Sequence, residues 1–188
     1  MDKVTPLPPA SLLRKLLAYD AETGLLLWLP RHVSMFQDGK QSAIAQCNSW
    51  NGRNAGRPAL IERSIHGYLV GKIMGTSYKA HRIAWAIATG KEPRFIDHVN
   101  GVRDDNRLVN LRETDKLGNA RNQKRHHTNR SGVSGVCRCS RSSTWRAYIR
   151  NGKKNIHLGV FKEFEDAVAA RKQAETKLGY HINHGRGQ

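Results

Sequence analysis

The chain has 188 residues, with 32 Lys and Arg against 15 Asp and Glu, a formal net charge of +17 at pH 7. That length allows one medium domain or two small ones, each with a modest core. The charge does not set a fold, but it implies an anionic partner, of which nucleic acid is the usual one, over a merely solubilised surface.

No stretch is apolar for long enough to span a bilayer, and the most apolar run, Leu25 to Leu29, is strand-sized. Met1-Asp2-Lys3 leads into prolines rather than an apolar segment, which predicts no secretion signal. Of Cys47, Cys137 and Cys139 only the last two are close, as C-x-C. Structural zinc usually takes four ligands, often in C-x-x-C pairs, so free thiols in a reducing cytoplasm and no structural zinc are expected.

Pro8-Pro9 precede Leu12, Leu13, Leu16 and Leu17, one apolar helical stripe with proline near its first turn. Asp20 to Gly24 reads as a turn and Leu25 to Leu29, with Trp28, as a short buried strand. Residues 31–58 are polar and aperiodic and predict a long irregular excursion. A strand from Tyr68 to Ile73, a turn at Gly75-Thr76-Ser77 and a second strand from Tyr78 follow. Ala80 to Thr89 predicts a helix with Ile83, Ala84, Ile87 and Ala88 on one stripe, Trp85 beside it and Gly90 as the stop.

Phe95-Ile96 then ends in Asp97-His98, before a loop rich in Gly, Asp and Asn. Leu108 to Arg112 reads as a returning strand, and Asp115 as the cap of a helix to about Lys124. No acidic residue occurs between Asp115 and Glu163, and Arg121, Lys124, Arg125 and Arg130 form a basic joint. Beyond it Gly135 to Cys139, Trp145 to Arg150 and Asn155 to Leu158 predict three strands. Glu163 to Leu178 predicts a helix with Phe164, Ala167, Val168, Arg171 and Ala174 at helical spacing.

The elements Asp97-His98-Val99-Asn100-Gly101, Asp105-Asn106-Arg107, Asn110-Leu111-Arg112 and Asn119, led in by His81-Arg82-Ile83-Ala84-Trp85 and Gly90-x-x-Pro93, occur in this order over residues 67–122. They resemble the HNH endonucleases of phages and introns. The resemblance implies a ββα fold around one divalent metal ion, Mg2+ or Mn2+. The family's three named positions fall on His98, Asn110 and Asn119; the last is often histidine, and here it is asparagine. Asp97 and Asn119 are the implied metal ligands and His98 and Asn110 the implied catalytic pair.

The residue types suit the chemistry. Phosphodiester hydrolysis needs an activated water and a stabilised leaving oxygen. A histidine near neutral pKa accepts a proton. Carboxylate and amide oxygens suit a hard cation that keeps several waters. Asn110 is expected to tie the loop to the strand and hold His98. Asn106 reads as a loop-forming residue, and His81 as a structural residue at a helix start. His126-His127 read as solvated or phosphate-contacting, because adjacent side chains on a helix diverge. The N-terminal Tyr19-Asp20-x-x-Thr23-Gly24 and Trp28 resemble, more loosely, the leader of such phage proteins.

Ser131-Gly132-Val133-Ser134-Gly135-Val136, Trp145-Arg146-Ala147-Tyr148-Ile149, Leu158-Gly159-Val160-Phe161 and Ala167-Val168-Ala169-Ala170 resemble the AP2 DNA-binding domain over residues 131–180. Such domains lay a three-stranded sheet in the major groove and back it with one helix. Charge is segregated accordingly: Arg138, Arg141, Arg146, Arg150, Lys153 and Lys154 lie in the strand half and Glu163, Glu165, Asp166 and Glu175 in the helix half. Arg146, Tyr148 and Arg150 alternate onto one strand face, with Ala147 and Ile149 on the other. Trp145 is compatible with DNA contact or with packing, and Cys137 and Cys139, alternating with Arg138, are expected to be buried.

The expected protein is α+β, a ββα-metal HNH nuclease module plus a small three-stranded sheet/one-helix AP2-like domain. Its parts are an N-terminal segment (1–60), the nuclease module (61–124), a basic linker (125–130) and the AP2-like domain (131–188). The expected function is metal-dependent, site-specific cleavage of double-stranded DNA by a homing-type enzyme, monomer or dimer, in the cytoplasm of a bacterial host if phage-encoded. DNA contacts are expected from Arg121, Lys124, Arg125, Arg130, Arg138, Arg141, Arg146, Tyr148, Arg150 and Lys153. The alternative is a non-catalytic AP2-type regulator carrying a decayed nuclease module.

Overall fold

A computed structural model describes residues 5–140 and 142–187. Contacts divide the chain into two compact units, 5–98 with 102–113, and 99–101 with 114–187. This division falls inside the segment read as the nuclease module. Both units mix helices with small antiparallel sheets, an α+β composition.

In the first unit α1 (Ala10–Leu16) buries Leu13 and Leu16 and runs into β1 (Leu17–Tyr19), which pairs antiparallel with β2 (Leu26–Trp28). The connecting turn is tied by Asp20, whose carboxylate accepts from Glu22 N and Thr23 Oγ1 at 2.9 and 2.7 Å. The stretch expected to be irregular instead contains a 3-10 turn, Val33–Met35, and α2 (Ala43–Asn54). Only Cys47 of α2 is buried, so no apolar stripe announces the helix. It is held from outside: Asn51 exchanges hydrogen bonds with the Arg31 backbone at 2.8 and 3.0 Å, and the Trp50 ring meets the edge of Trp28 at 5.6 Å.

β3 (Glu62–Arg63), β4 (Leu69–Ile73) and β5 (Thr76–Lys79) form an antiparallel sheet in that order. The β4–β5 turn is Met74-Gly75, both at positive φ, one residue earlier than expected because a two-residue hairpin turn needs that backbone twist. α3 (Ala80–Thr89) stops at Gly90 in the left-handed region and buries Ala80, His81, Ile83, Ala84 and Ala86. Ala88 is exposed, so the helix is rotated from the predicted stripe toward His81. β6 (Ile96–His98) pairs with β7 (Leu111–Glu113), which is preceded by a 3-10 turn, Leu108–Asn110, where a longer strand was expected. The core gathers Leu13, Leu16, Leu17, Leu26, Leu60, Ile73 and Ile83.

The second unit starts with α4 (Lys116–Ala120), capped by Asp115 as expected, with Gly118 N donating to its Oδ1 at 2.6 Å. The helix ends four residues short of the predicted Lys124, and no residue of it is described as buried. β8 (Val136–Arg138), β9 (Trp145–Asn151) and β10 (Lys154–Phe161) form an antiparallel sheet with β9 in the centre, and α5 (Phe164–Lys177) packs on it. Val136, Ala147 and Ala167 are its buried centre, flanked by Trp145, Phe161 and Phe164. Trp145, half-buried, packs on Phe164 at 4.7 Å between ring centroids. Arg171 on α5 is 3 % exposed and bonds Glu175 at 2.9 Å, the Tyr148 carbonyl at 2.6 Å and His184 at 3.2 Å.

Candidate active site and basic face

The β6–β7 pairing sets Asp97 opposite Arg112 and His98 opposite Leu111. Successive strand residues face opposite sides, so the two buried polar residues meet different partners. Arg112 directs Nε and Nη2 at Asp97 Oδ2, at 3.1 and 2.7 Å. His98 Nε2 lies 3.1 Å from Asn106 Oδ1. An amide oxygen only accepts, so Nε2 carries the hydrogen and the ring lone pair is on Nδ1.

Asn106 is 2 % exposed, and the loop bearing it is fastened from the N-terminus. Tyr19 Oη donates to the Asn106 carbonyl at 2.8 Å, and Leu108 N donates to the Ala21 carbonyl at 2.9 Å. A Cβ on Gly24 would lie 2.6 Å from the backbone at Asn106 and Arg107, so only glycine admits this approach. Asn110 Nδ2 donates to the Asp105 carbonyl at 2.8 Å. It ties the loop as expected, and His98 is also bonded by Asn106, read from sequence as a turn residue.

His81 lies beneath His98, 4 % exposed, with ring centroids 4.9 Å apart in an edge-on arrangement; Tyr68 packs 5.1 Å from His81 and 5.9 Å from His98. The sequence reading missed this aromatic cluster, whose signal was the strand-to-helix chain entry at Tyr68 and His81. Lys79 Nζ and the Arg103 guanidinium stand 4.6 and 5.1 Å from the Tyr68 ring centroid, adding positive charge. Burial pushes the His98 pKa down. The Asn106 bond, Asp97 and Asp105 oppose that shift, and Arg103 adds to it. Burial, with the charges of His98, Lys79 and Arg82, holds His81 well below the usual histidine value.

Asn119 stands exposed on α4, in the second unit. Among the described residues no three His, Cys, Asp or Glu side chains group to hold a metal ion. The donor chemistry still fits a hard divalent cation: Asp97 offers carboxylate oxygens and Asn119 a neutral amide oxygen.

On β9, Ala147 and Ile149 are fully buried while Arg146, Tyr148 and Arg150 are exposed on the opposite face, with Lys153 exposed at the hairpin tip. Arg138 pairs with Trp145 and Cys137 with Arg146. Cys137 therefore shares the outer face and is half-buried, as is Cys139, rather than buried. Arg138 has the helix-side parity of buried Val136, although it is exposed at the strand end. Arg141 lies outside the described residues. A groove of about 810 Å3 beside this face is lined by His126, Arg130, Arg138, Trp145 and Tyr148 among others. The His126 and His127 rings lie 4.3 Å apart, because the segment is not helical there.

Within the basic joint the four cations differ. Arg121 is half-buried, 3.3 Å from Asn151 Oδ1 and 5.7 Å from the Tyr180 ring, and Arg125 Nη1 donates to the Gly132 carbonyl at 2.5 Å. Lys124 and Arg130 are exposed.

A family model described as HNH endonuclease matches residues 78–121, from β5 through α4. The match supports an HNH nuclease module there and a nuclease-type function. No curated protein and no solved structure matches the chain. No helix among the described residues is long and apolar enough to cross a membrane.

Proposed function

We propose that this chain is a metal-dependent endonuclease of double-stranded DNA, of the site-specific homing type. The observation that carries the reading is the His98–Asn106 bond at 3.1 Å, inside the segment that matches the HNH endonuclease model. With Nε2 donating to Asn106, the lone pair on His98 Nδ1 is the one read as accepting the proton of the attacking water. The lowered His98 pKa keeps that nitrogen unprotonated at neutral pH. Asp97 and Asn119 are the residues that would hold the ion, Mg2+ or Mn2+, with Arg112 orienting the Asp97 carboxylate. Bound there, the ion neutralises charge on the phosphate and the leaving oxygen. Asn110 fixes the loop on which Asn106 depends.

The sheet of the second unit is read as AP2-like. Arg146, Tyr148 and Arg150 meet DNA on its outer face, with Arg138 and Lys153 at its margins. An arginine fork reaches guanine O6 and N7 bidentately, while the remaining cations hold phosphates. Plasmid incubation with Mg2+ tests the proposal. The protein nicks or linearises DNA, EDTA abolishes this, and His98→Ala and Asp97→Ala lower the rate by ~10²-fold or more with DNA binding retained. Binding without cleavage under every metal condition would leave the regulator reading instead.

A further inference from the structure

The residues after α5 touch the sheet and helix through Tyr180, whose Oη donates to the Arg150 carbonyl, and through His184 beside Arg171, and they also turn back along the segment that follows α4. His181 N donates to the Arg121 carbonyl at 3.1 Å, Gly185 N to that of Gln123 at 2.9 Å, and Arg125 N to that of Arg186 at 3.0 Å. Arg186 Nη1 donates to the Asn122 carbonyl at 2.8 Å and to Asn122 Oδ1 at 3.0 Å; Asn122 is 3 % exposed. Asn183 Nδ2 donates to the Val99 carbonyl at 3.0 Å. A Cβ on Gly101, at φ +71°, would lie 1.6 Å from Arg186 Nη2, so the guanidinium rests directly on that glycine.

These contacts fall on two functional segments. Val99 to Gly101 is the turn directly after Asp97-His98, and residues 121–125 directly follow the helix bearing Asn119. That helix has five residues and no residue described as buried. A single turn so short does not hold itself in water, so its position depends on what is bonded to its ends.

We propose that residues 181–186 are a strap that positions the cleavage site, with Asn183 and Arg186 as positioning residues. Asn183 fixes the turn after the Asp-His pair. Arg186 locks Asn122 against Gly101 and so fixes the exit of the Asn119 helix. The inference rests on the nuclease reading above. It makes the C-terminus, sequence-remote from the HNH motif, a part of the catalytic framework.

The test uses the full chain with Asn183→Ala, Arg186→Ala and Arg186→Lys, read by amide hydrogen exchange and by cleavage of supercoiled plasmid with Mg2+. In the alanine variants amides of residues 99–101 and 119–125 exchange faster, while those of β9 and α5 keep their protection. Cleavage kcat falls on the order of 10–10²-fold through misplacement, with KM for plasmid within about twofold of the parent. Arg186→Lys recovers part of the loss. Unchanged exchange in both segments overturns the strap. So does faster exchange with full kcat, and so does loss of protection throughout the unit in both alanine variants, which would make these residues general stabilisers. A parent protein that cuts nothing while the variants loosen only the two segments refutes the nuclease reading and leaves the strap standing as the tie that places the Asn119 helix.

Discussion

Asn106 Oδ1 meets His98 Nε2 at 3.1 Å and so orients the imidazole ring. Asn106→Ala is expected to free the ring and its tautomer, lowering cleavage by roughly 10–10²-fold while plasmid affinity stays unchanged. Single-turnover cleavage measures this. A variant as fast as the parent would show that the bond does not orient the base.

Arg112 and Asp97 form a pair in which the carboxylate is nearly buried. Arg112→Ala leaves that carboxylate without its guanidinium, and removing one partner of a buried pair typically costs about 3–5 kcal/mol; partial exposure of Arg112 places this case toward the low end or below. Urea unfolding should show the loss, and added Mg2+ or Mn2+ should restore part of it if the ion binds Asp97. Equal stability with and without metal would count against Asp97 as a ligand.

Two histidines, buried His81 and half-buried His184, bear on acid stability. Burial holds the pKa of His81 well below 6.5 and also lowers that of His184, where Arg171 and Lys172 add to the shift and Glu175 opposes it. Above pH 6.5 the folded and unfolded states are both neutral at these sites, and the groups do not affect stability. Below it the unfolded chain takes up protons that the folded chain refuses. Stability therefore falls with pH until the folded pKa is reached, with a limiting slope of about 1.4 kcal/mol per pH unit for each such group. Urea midpoints between pH 7.5 and 5 should decline, and His81→Gln should flatten the decline. A flat profile in the parent would contradict the burial argument.

Salt dependence tests which cations of the basic joint meet DNA. Arg121 and Arg125 are engaged within the fold, whereas Lys124 and Arg130 are exposed. Replacing Lys124 and Arg130 with glutamine should flatten the log–log salt slope of DNA binding by up to about two units, at ~0.9 per phosphate contact. Replacing Arg121 and Arg125 should instead lower the melting temperature. An unaltered slope in the first pair would make the joint a spacer.

Arg146→Gln, on the exposed face of β9, should weaken site preference, since a bidentate base contact is worth about 1–3 kcal/mol of discrimination. Arg150→Gln should act in the same direction or weaken binding uniformly, according to whether it meets a base or a phosphate. Cleavage-site mapping on a randomised library reads both. Unchanged site choice in both variants would move recognition elsewhere.

What the sequence determined by itself was what depends on neighbours a few residues apart. Asp115 caps α4, Gly90 ends α3, and β9 turns Arg146, Tyr148 and Arg150 outward with Ala147 and Ile149 inward, because capping and strand alternation are local. The ordered spacing of Asp97, His98, Asn110 and Asn119 was legible for the same reason. The tertiary structure alone decided that Asn106 bonds His98, that Tyr19 and Gly24 buttress that loop, and that α2 forms without an apolar stripe. It alone placed Arg186 on Gly101 and Asn122. The longest of these ties, Tyr19 with Asn106 and Arg186 with Asn122, join loops 87 and 64 residues apart in the chain, where no periodicity exists to be read. Such bonds form only once packing has brought both loops out of water and left their polar atoms no other partner.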